Sequence, residues 1–304
     1  MGLRLYSLLA LTALGVGTAT ADPFSFSTGD PDGKMAAASR PSSAGKFEIE
    51  AGDDFFLSSE TAINSATFVG LLTDDATVAD ISEVRVEVYR VFPKDSDVGR
   101  TSGPPTFSTP QVPTRVNSPS DVEFDDRDTS PPPGNLSFTP SDLGSFSVLN
   151  SVQPGGIHPK PGQTTGGNGP TTGEEVQFNV TFTTPFDLPP DHYFFVPQVE
   201  VTDPSGNFLW LSAPRPIVPP GTPFPMGATD LQAWTRDQFL DPDWLRVGTD
   251  IVGPPPTGGP APTFNMTFSL TGETVPEPAS YILLGSALLA LAAAGRKKLR
   301  RSDA

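Results

Sequence analysis

Three segments in the body of the chain alternate strictly between apolar and polar residues. They cover residues 84–88, 176–182 and 264–270. A period of two places successive side chains on opposite faces of a β-strand, so each segment predicts a strand with one buried face and one face in water. Strands of this kind favour antiparallel sheets, which commonly expose one face to solvent.

Turn-forming residues separate these segments from further short apolar runs. Gly and Pro supply 29 and 36 of the 304 residues, which is above ordinary usage and disfavours a helical protein. The sequence therefore predicts a mainly β domain, an antiparallel β-sandwich over residues 46–272, with long Pro/Gly-rich loops at 93–133 and 153–173. The shorter candidate strands are residues 46–50, 67–72, 135–138, 145–149, 193–201 and 207–212.

Residues 230–240 depart from this pattern. Leu231, Trp234 and Gln238 fall on one stripe at helical spacing, and Asp230 is a suitable N-cap residue. The segment predicts one short helix. We expect Trp234 and Trp244 to cover one end of the sandwich.

The N-terminus has the three parts of a secretory signal peptide. Arg4 is basic, residues 8–16 are apolar but too few to span a bilayer, and Ala19 and Ala21 stand where signal peptidase reads small residues. This pattern predicts a signal peptide over residues 1–21, cleaved after Ala21; an uncleaved anchor is the alternative. Residues 22–45 are rich in Ser, Ala, Gly, Asp and Pro, and they predict a flexible lead.

The C-terminus carries a second apolar segment, residues 280–295, preceded by Pro276-Glu277-Pro278. As a helix it is about 24 Å long, which is short for a hydrocarbon core of about 30 Å. The segment has no polar face, so we predict a transmembrane helix rather than a helix of the globular core. The basic tail at 296–301 would stay on the cytoplasmic side. Its charges are Arg296, Lys297, Lys298, Arg300 and Arg301.

The order of these three parts over residues 275–301 resembles the PEP-CTERM sorting signal. The resemblance implies an exported protein, typical of Gram-negative bacteria that make exopolysaccharide, that the inner membrane holds transiently. It also implies that exosortase processes the chain near Pro276, Glu277 and Pro278, which are then recognition residues of a substrate. Two prolines disfavour both helix and sheet pairing, so this step should be extended and exposed. A helix breaker before a permanent anchor is the alternative.

Charge and cysteine content exclude several classes of function. The formal net charge is −16, which repels phosphate backbones and argues against a nucleic-acid partner. The chain has no cysteine, which excludes disulfides, a thiol nucleophile and Cys-ligated metal sites.

The densest acidic segment is the candidate metal site. Asp121, Glu123 and Asp125 would share one face of a strand, and clustered carboxylates suit Ca²⁺. The alternative is a solvated acidic edge in which Arg127 pairs locally.

Catalytic residues are not indicated. The chain has two histidines, His158 and His192, and no G-x-S-x-G elbow, so a Ser-His-Asp triad is not supported. A carboxylate pair for glycoside hydrolysis stays open because its geometry cannot be read from sequence. Four aromatic residues are candidates for contact with sugar rings. They are Trp210, Trp234, Trp244 and Tyr193.

We interpret the chain as an exported, non-enzymatic protein of the cell envelope, cell surface or extracellular matrix. Signal peptidase and exosortase are its expected processing partners, and exopolysaccharide is a candidate partner after delivery. The alternatives are a surface module that binds Ca²⁺ or polysaccharide, and a secreted glycoside hydrolase.

Overall fold

Strands of two sheets contain residues 84–88, residues 176–182 and most of residues 264–270, the three alternating segments of the sequence. The computed structural model describes residues 21–43, 45–100, 116–157 and 164–276. The strands are β1 (Pro23–Ser27), β2 (Met35–Ala38), β3 (Ile49–Phe56), β4 (Thr61–Leu72), β5 (Ile81–Arg90), β6 (Asp125–Asp128), β7 (Leu136–Val148), β8 (Asn150–Val152), β9 (Thr171–Leu188), β10 (His192–Val201), β11 (Phe208–Ala213), β12 (Trp234–Asp237), β13 (Leu245–Arg246), β14 (Asn265–Met266) and β15 (Phe268–Thr274).

The larger sheet has nine strands and is built around β4. One path through it runs β1-β15-β4-β11-β2-β8; β9 pairs with β4 and with β7, and β14 pairs with β11. The six-stranded sheet has the order β13-β12-β3-β10-β5-β6. Among the described strands, β2 and β8 form the one parallel pair, and the other pairs are antiparallel.

Phenylalanine rings from both sheets meet in the core. Phe195 of β10 stacks on Phe268 of β15 with ring centroids 5.0 Å apart, and Phe68 of β4 lies 6.3 Å from Phe195. Phe55 of β3 meets Phe268 edge to face. The prediction of a mainly β fold with two facing sheets is confirmed. The compact unit spans Pro23–Thr274.

The predicted helix at residues 230–240 is wrong. Trp234–Asp237 forms strand β12, which pairs with β3 from Trp234↔Gly52 to Asp237↔Ile49. All four residues are buried, so both faces of β12 are covered and the alternation that marks a half-exposed strand is absent. The described helices are single turns at Val78–Asp80, Val98–Arg100, Pro154–Gly156 and Val247–Val252.

The flexible lead expected at residues 22–45 instead contains two strands. β1 pairs with β15, and β2 inserts between β11 and β8 with all four residues buried. Small residues in β2, which the sequence analysis took as a sign of mobility, let the strand pack closely within the sheet. The segments predicted as long loops also contain short elements, including β6 within 93–133.

Candidate functional site

The described part of the chain ends in a strand that is held on both sides. β15 pairs with β4 up to Thr274↔Thr61 and with β1 up to Glu273↔Pro23. The compact unit that contains this strand ends at Thr274. The next residue, Val275, is 38% exposed, and Pro276 follows it directly.

Pro276 begins the Pro-Glu-Pro step predicted from the sequence. Strand pairing has already ended at Thr274, and Pro276 has no N–H with which to extend it. Glu277, Pro278, the apolar segment 280–295 and the basic tail 296–301 lie outside the described residues. Among the residues that are described, no helix is long and apolar enough to cross a membrane.

The sequence that follows β15 belongs to a known motif. Residues 274–298 match the PEP-CTERM protein-sorting motif. The match begins at the last residue of β15, so the PEP-CTERM motif adjoins the folded domain without a spacer. It indicates an exported protein of the cell envelope or surface that exosortase processes. Searches of curated proteins and of solved structures gave no match to the chain.

The predicted signal-peptidase site lies just before the strand that neighbours β15. Ala21 and Asp22 are exposed and precede β1, whereas Ala19 lies outside the described residues. Pro23, the first residue of β1, pairs with Glu273 of β15.

The predicted calcium ligands do not form a site. The strand begins only at Asp125, so Asp121, Glu123 and Asp125 do not share a strand face. Asp121 is buried and its Oδ2 accepts a hydrogen bond from the Asp97 N–H at 2.7 Å, while Glu123 is exposed. Asp125 pairs with Arg127 at 2.7 Å, as the acidic-edge alternative predicted. Within the described ranges, no three His, Asp or Glu side chains are placed to hold a metal ion.

The aromatic residues proposed for sugar contact lie in the interior. Trp210, Trp234, Trp244 and Tyr193 each have 2% or less of their surface exposed. They therefore offer no ring face to a ligand. Trp234 and Trp244, which we expected to cover one end of the sandwich, instead pack with Tyr89 and Phe194 in a buried cluster that is separate from the main core. Trp244 meets Tyr89 edge to face.

Sequence reasoning missed a buried polar cluster around Arg236, which we call the Arg236 network. The guanidinium bonds both carboxylate oxygens of Glu50, donates to the Tyr89 hydroxyl at 3.0 Å and stacks 4.3 Å from the Trp244 ring. Tyr89 Oη in turn donates to Glu50 at 2.6 Å and lies 3.1 Å from Glu87. Burial and the neighbouring Glu50 raise the pKa of Glu87 well above its usual range. The network joins β12 to β3 and β5.

A second buried cluster lies at the other end of β3. Asp54 accepts hydrogen bonds from the Leu231 N–H and lies 2.5 Å from Nε2 of His192. Burial raises the pKa of Asp54 and lowers that of His192 to about 4. The adjacent Asp53 is fully buried and accepts from the Met266 N–H at 2.7 Å. These contacts hold two elements against β3, namely the segment that contains Leu231 and strand β14.

Replacing His192 with glutamine is expected to flatten the pH dependence of stability between about pH 6.5 and 4. The folded pKa of His192 lies below its usual 6.5, so the unfolded state binds the extra proton first as the pH falls. This histidine therefore lowers the free energy of unfolding by up to about 3 kcal/mol across that interval. Denaturant titrations at pH 7 and pH 4 on both proteins give the difference. An equal pH slope in the two proteins would contradict the assignment.

The burial of both clusters indicates that they stabilise the fold. Glu50, Glu87, Asp53 and Asp54 are each 7% exposed or less. A glycosidase needs a carboxylate pair on either side of a bound sugar. Here Glu50 is bonded to Arg236, Asp54 to the Leu231 N–H and Asp53 to the Met266 N–H. The clusters therefore give no support to a hydrolytic pair.

Proposed function

We propose that this chain is a non-enzymatic β-sandwich protein of the cell envelope or extracellular matrix. A signal peptide directs its export, and exosortase then processes it at the PEP-CTERM motif. One observation carries the proposal: the motif begins at the residue where the last paired strand of the domain ends.

This arrangement separates folding from processing. The residues that complete the sheet stop at Thr274, and the recognition residues Pro276, Glu277 and Pro278 come after it. Exosortase could therefore act on an extended step without breaking a strand pair, and the product would keep all of β15. The apolar segment 280–295 and its basic tail would hold the precursor in the inner membrane until that step.

The non-enzymatic part of the proposal is supported by where the reactive groups lie. His192 is bonded to Asp54, and the closely spaced carboxylates around Glu50 are tied to Arg236. Groups held in this way stabilise the sandwich and are not open to a substrate.

The test compares the intact mass of the protein from strains with and without exosortase. Processing should give a shorter chain only where exosortase is present. Replacing Pro276, Glu277 and Pro278 together with alanine should give the unprocessed mass in both strains. Glu273→Gln is the matched control because Glu273 lies on β15, is exposed and stands just before the motif. The same mass in both strains for the unchanged protein would refute the proposal.

A further inference from the structure

Two rows of uncharged polar side chains cross five adjacent strands of the nine-stranded sheet, in the order β7, β9, β4, β15 and β1. The strand registers place them side by side. We call these ten residues the hydroxyl face. The first row is Ser137, Thr181, Ser65, Thr271 and Ser25, and the second is Thr139, Asn179, Thr67, Ser269 and Ser27.

The hydroxyl face points away from the core. The residues between the two rows include Val180, Ala66, Leu270 and Phe26, all of which are buried. Successive side chains of a strand point to opposite sides, so the rows on either side point to solvent. None of the ten is buried. Neighbouring residues of the hydroxyl face lie about 4.8 Å apart from one strand to the next and about 6.7 Å apart along one strand.

Hydrogen bonds between hydroxyls of neighbouring strands fix the positions of some side chains of the hydroxyl face. The hydroxyls of Thr67 and Ser269 are 2.6 Å apart, and those of Ser65 and Thr271 are also bonded. Each such pair uses one O–H. In the Thr67–Ser269 pair the second O–H and the remaining lone pairs can bond a ligand, whereas Ser65 also donates to Asn64 at 3.4 Å. The hydroxyls are thus held in place before any ligand arrives, which lowers the entropy cost of binding.

A cavity of about 250 Å³ adjoins the second row. Its lining combines polar groups of Thr67, Ser269 and Gln177 with the apolar surfaces of Val69, Pro31 and Pro220. It also includes one acidic residue, Asp30, which would repel an anionic ligand and can accept hydrogen bonds from the hydroxyls of a neutral sugar. A sugar ring presents the same combination, because its edge carries hydroxyls and its faces carry C–H groups. Small-molecule sites commonly pair apolar walls with a few placed polar groups.

The charge of the face is unusual for this chain. The sequence has 35 Asp and Glu residues and a net charge of −16, yet neither row contains a charged residue. A sheet face that serves only solubility usually carries interspersed charges. Because the rows are neutral within an acidic protein, an anionic polymer gains nothing here and is repelled by the surroundings, whereas a neutral polymer is not.

We propose that the hydroxyl face and its adjoining cavity bind a neutral polysaccharide. The repeat of hydroxyls along and across the strands would bond a polymer that itself repeats hydroxyls, and the cavity would take one ring. This activity is separate from sorting, since all ten residues lie within the unit Pro23–Thr274.

The test measures depletion of the full chain from solution by insoluble cellulose, chitin and mannan, in a non-ionic detergent without a sugar headgroup. We expect depletion by at least one of these neutral polymers that soluble alginate, an anionic polymer, does not prevent. No depletion by any of the three, or full competition by alginate, would overturn the proposal. The measurement does not use exosortase, so its outcome is independent of the sorting test.

Two double variants test whether binding depends on the hydroxyl face or on another part of the sheet. Thr67→Val with Ser269→Ala removes one bonded hydroxyl pair and should weaken binding about tenfold. Ser147→Ala with Thr172→Val removes a pair 2.7 Å apart on β7 and β9, outside both rows and the cavity, and should leave binding unchanged. Equal loss in the two double variants would overturn the assignment. A second result would also overturn the assignment: sedimentation shows that the unchanged protein is a dimer and that the double variant Thr67→Val with Ser269→Ala is a monomer.

Discussion

Replacing Arg236 with methionine is expected to lower the free energy of unfolding by about 3–5 kcal/mol, or to prevent folding. Arg236 is 5% exposed and bonds both carboxylate oxygens of Glu50. Methionine fills similar space but leaves Glu50 buried without its cation. Removing one partner of a buried ion pair leaves an uncompensated charge, which costs more than the pair contributes.

The matched control is Arg246→Met. Arg246 also pairs with one carboxylate, Asp250 at 2.7 Å, but its side chain is 24% exposed. Water screens such a pair, so we expect a loss of about 1 kcal/mol or less. Denaturant titration followed by tryptophan fluorescence suits the comparison because Trp244 stacks on Arg236. Similar losses in the two variants would contradict the role assigned to the Arg236 network.

Replacing Ala37 with aspartate is expected to destabilise the protein by at least about 3 kcal/mol. Ala37 is fully buried in β2, opposite Trp210 of β11 on one side and Val152 of β8 on the other. No cation lies in this row of the sheet to pair with a carboxylate. The residue therefore tests directly whether the segment before residue 46 belongs to the fold.

Ala79→Asp is the control for this change. Ala79 is exposed in the turn Val78–Asp80, so a carboxylate there stays in water and should shift stability by less than about 0.5 kcal/mol. Thermal unfolding of both variants gives the comparison. Equal midpoints would show that the segment containing β2 is the flexible lead that the sequence alone predicted.

Half-buried strands were predictable because their faces differ. β9 alternates between apolar and polar residues, since one face packs on the core and the other meets water. β5 shows the same alternation, although Glu87 and Tyr89 on its second face are buried in the Arg236 network. β2 and β12 were missed because both of their faces are covered. Around β12, Leu231, Trp234 and Gln238 recur at helical spacing after Asp230, and this pattern indicates one face of an amphipathic helix.

The PEP-CTERM motif was predictable because its parts are contiguous in the chain. The buried clusters were not, because they join residues far apart in sequence: Glu50 meets Arg236 across 186 residues. The hydroxyl face has the same property, with Ser65 bonded to Thr271 across 206 residues. Serine and threonine in separate strands look like ordinary polar faces until the register places them in rows.

The most direct test of the account is the intact mass of the mature chain from a strain that contains exosortase. We predict a chain that keeps β15 through Thr274 and has lost the apolar segment 280–295 with its basic tail. We also predict that the tail is retained when exosortase is deleted. A mature chain that still ends at Ala304 in the presence of exosortase would contradict the account.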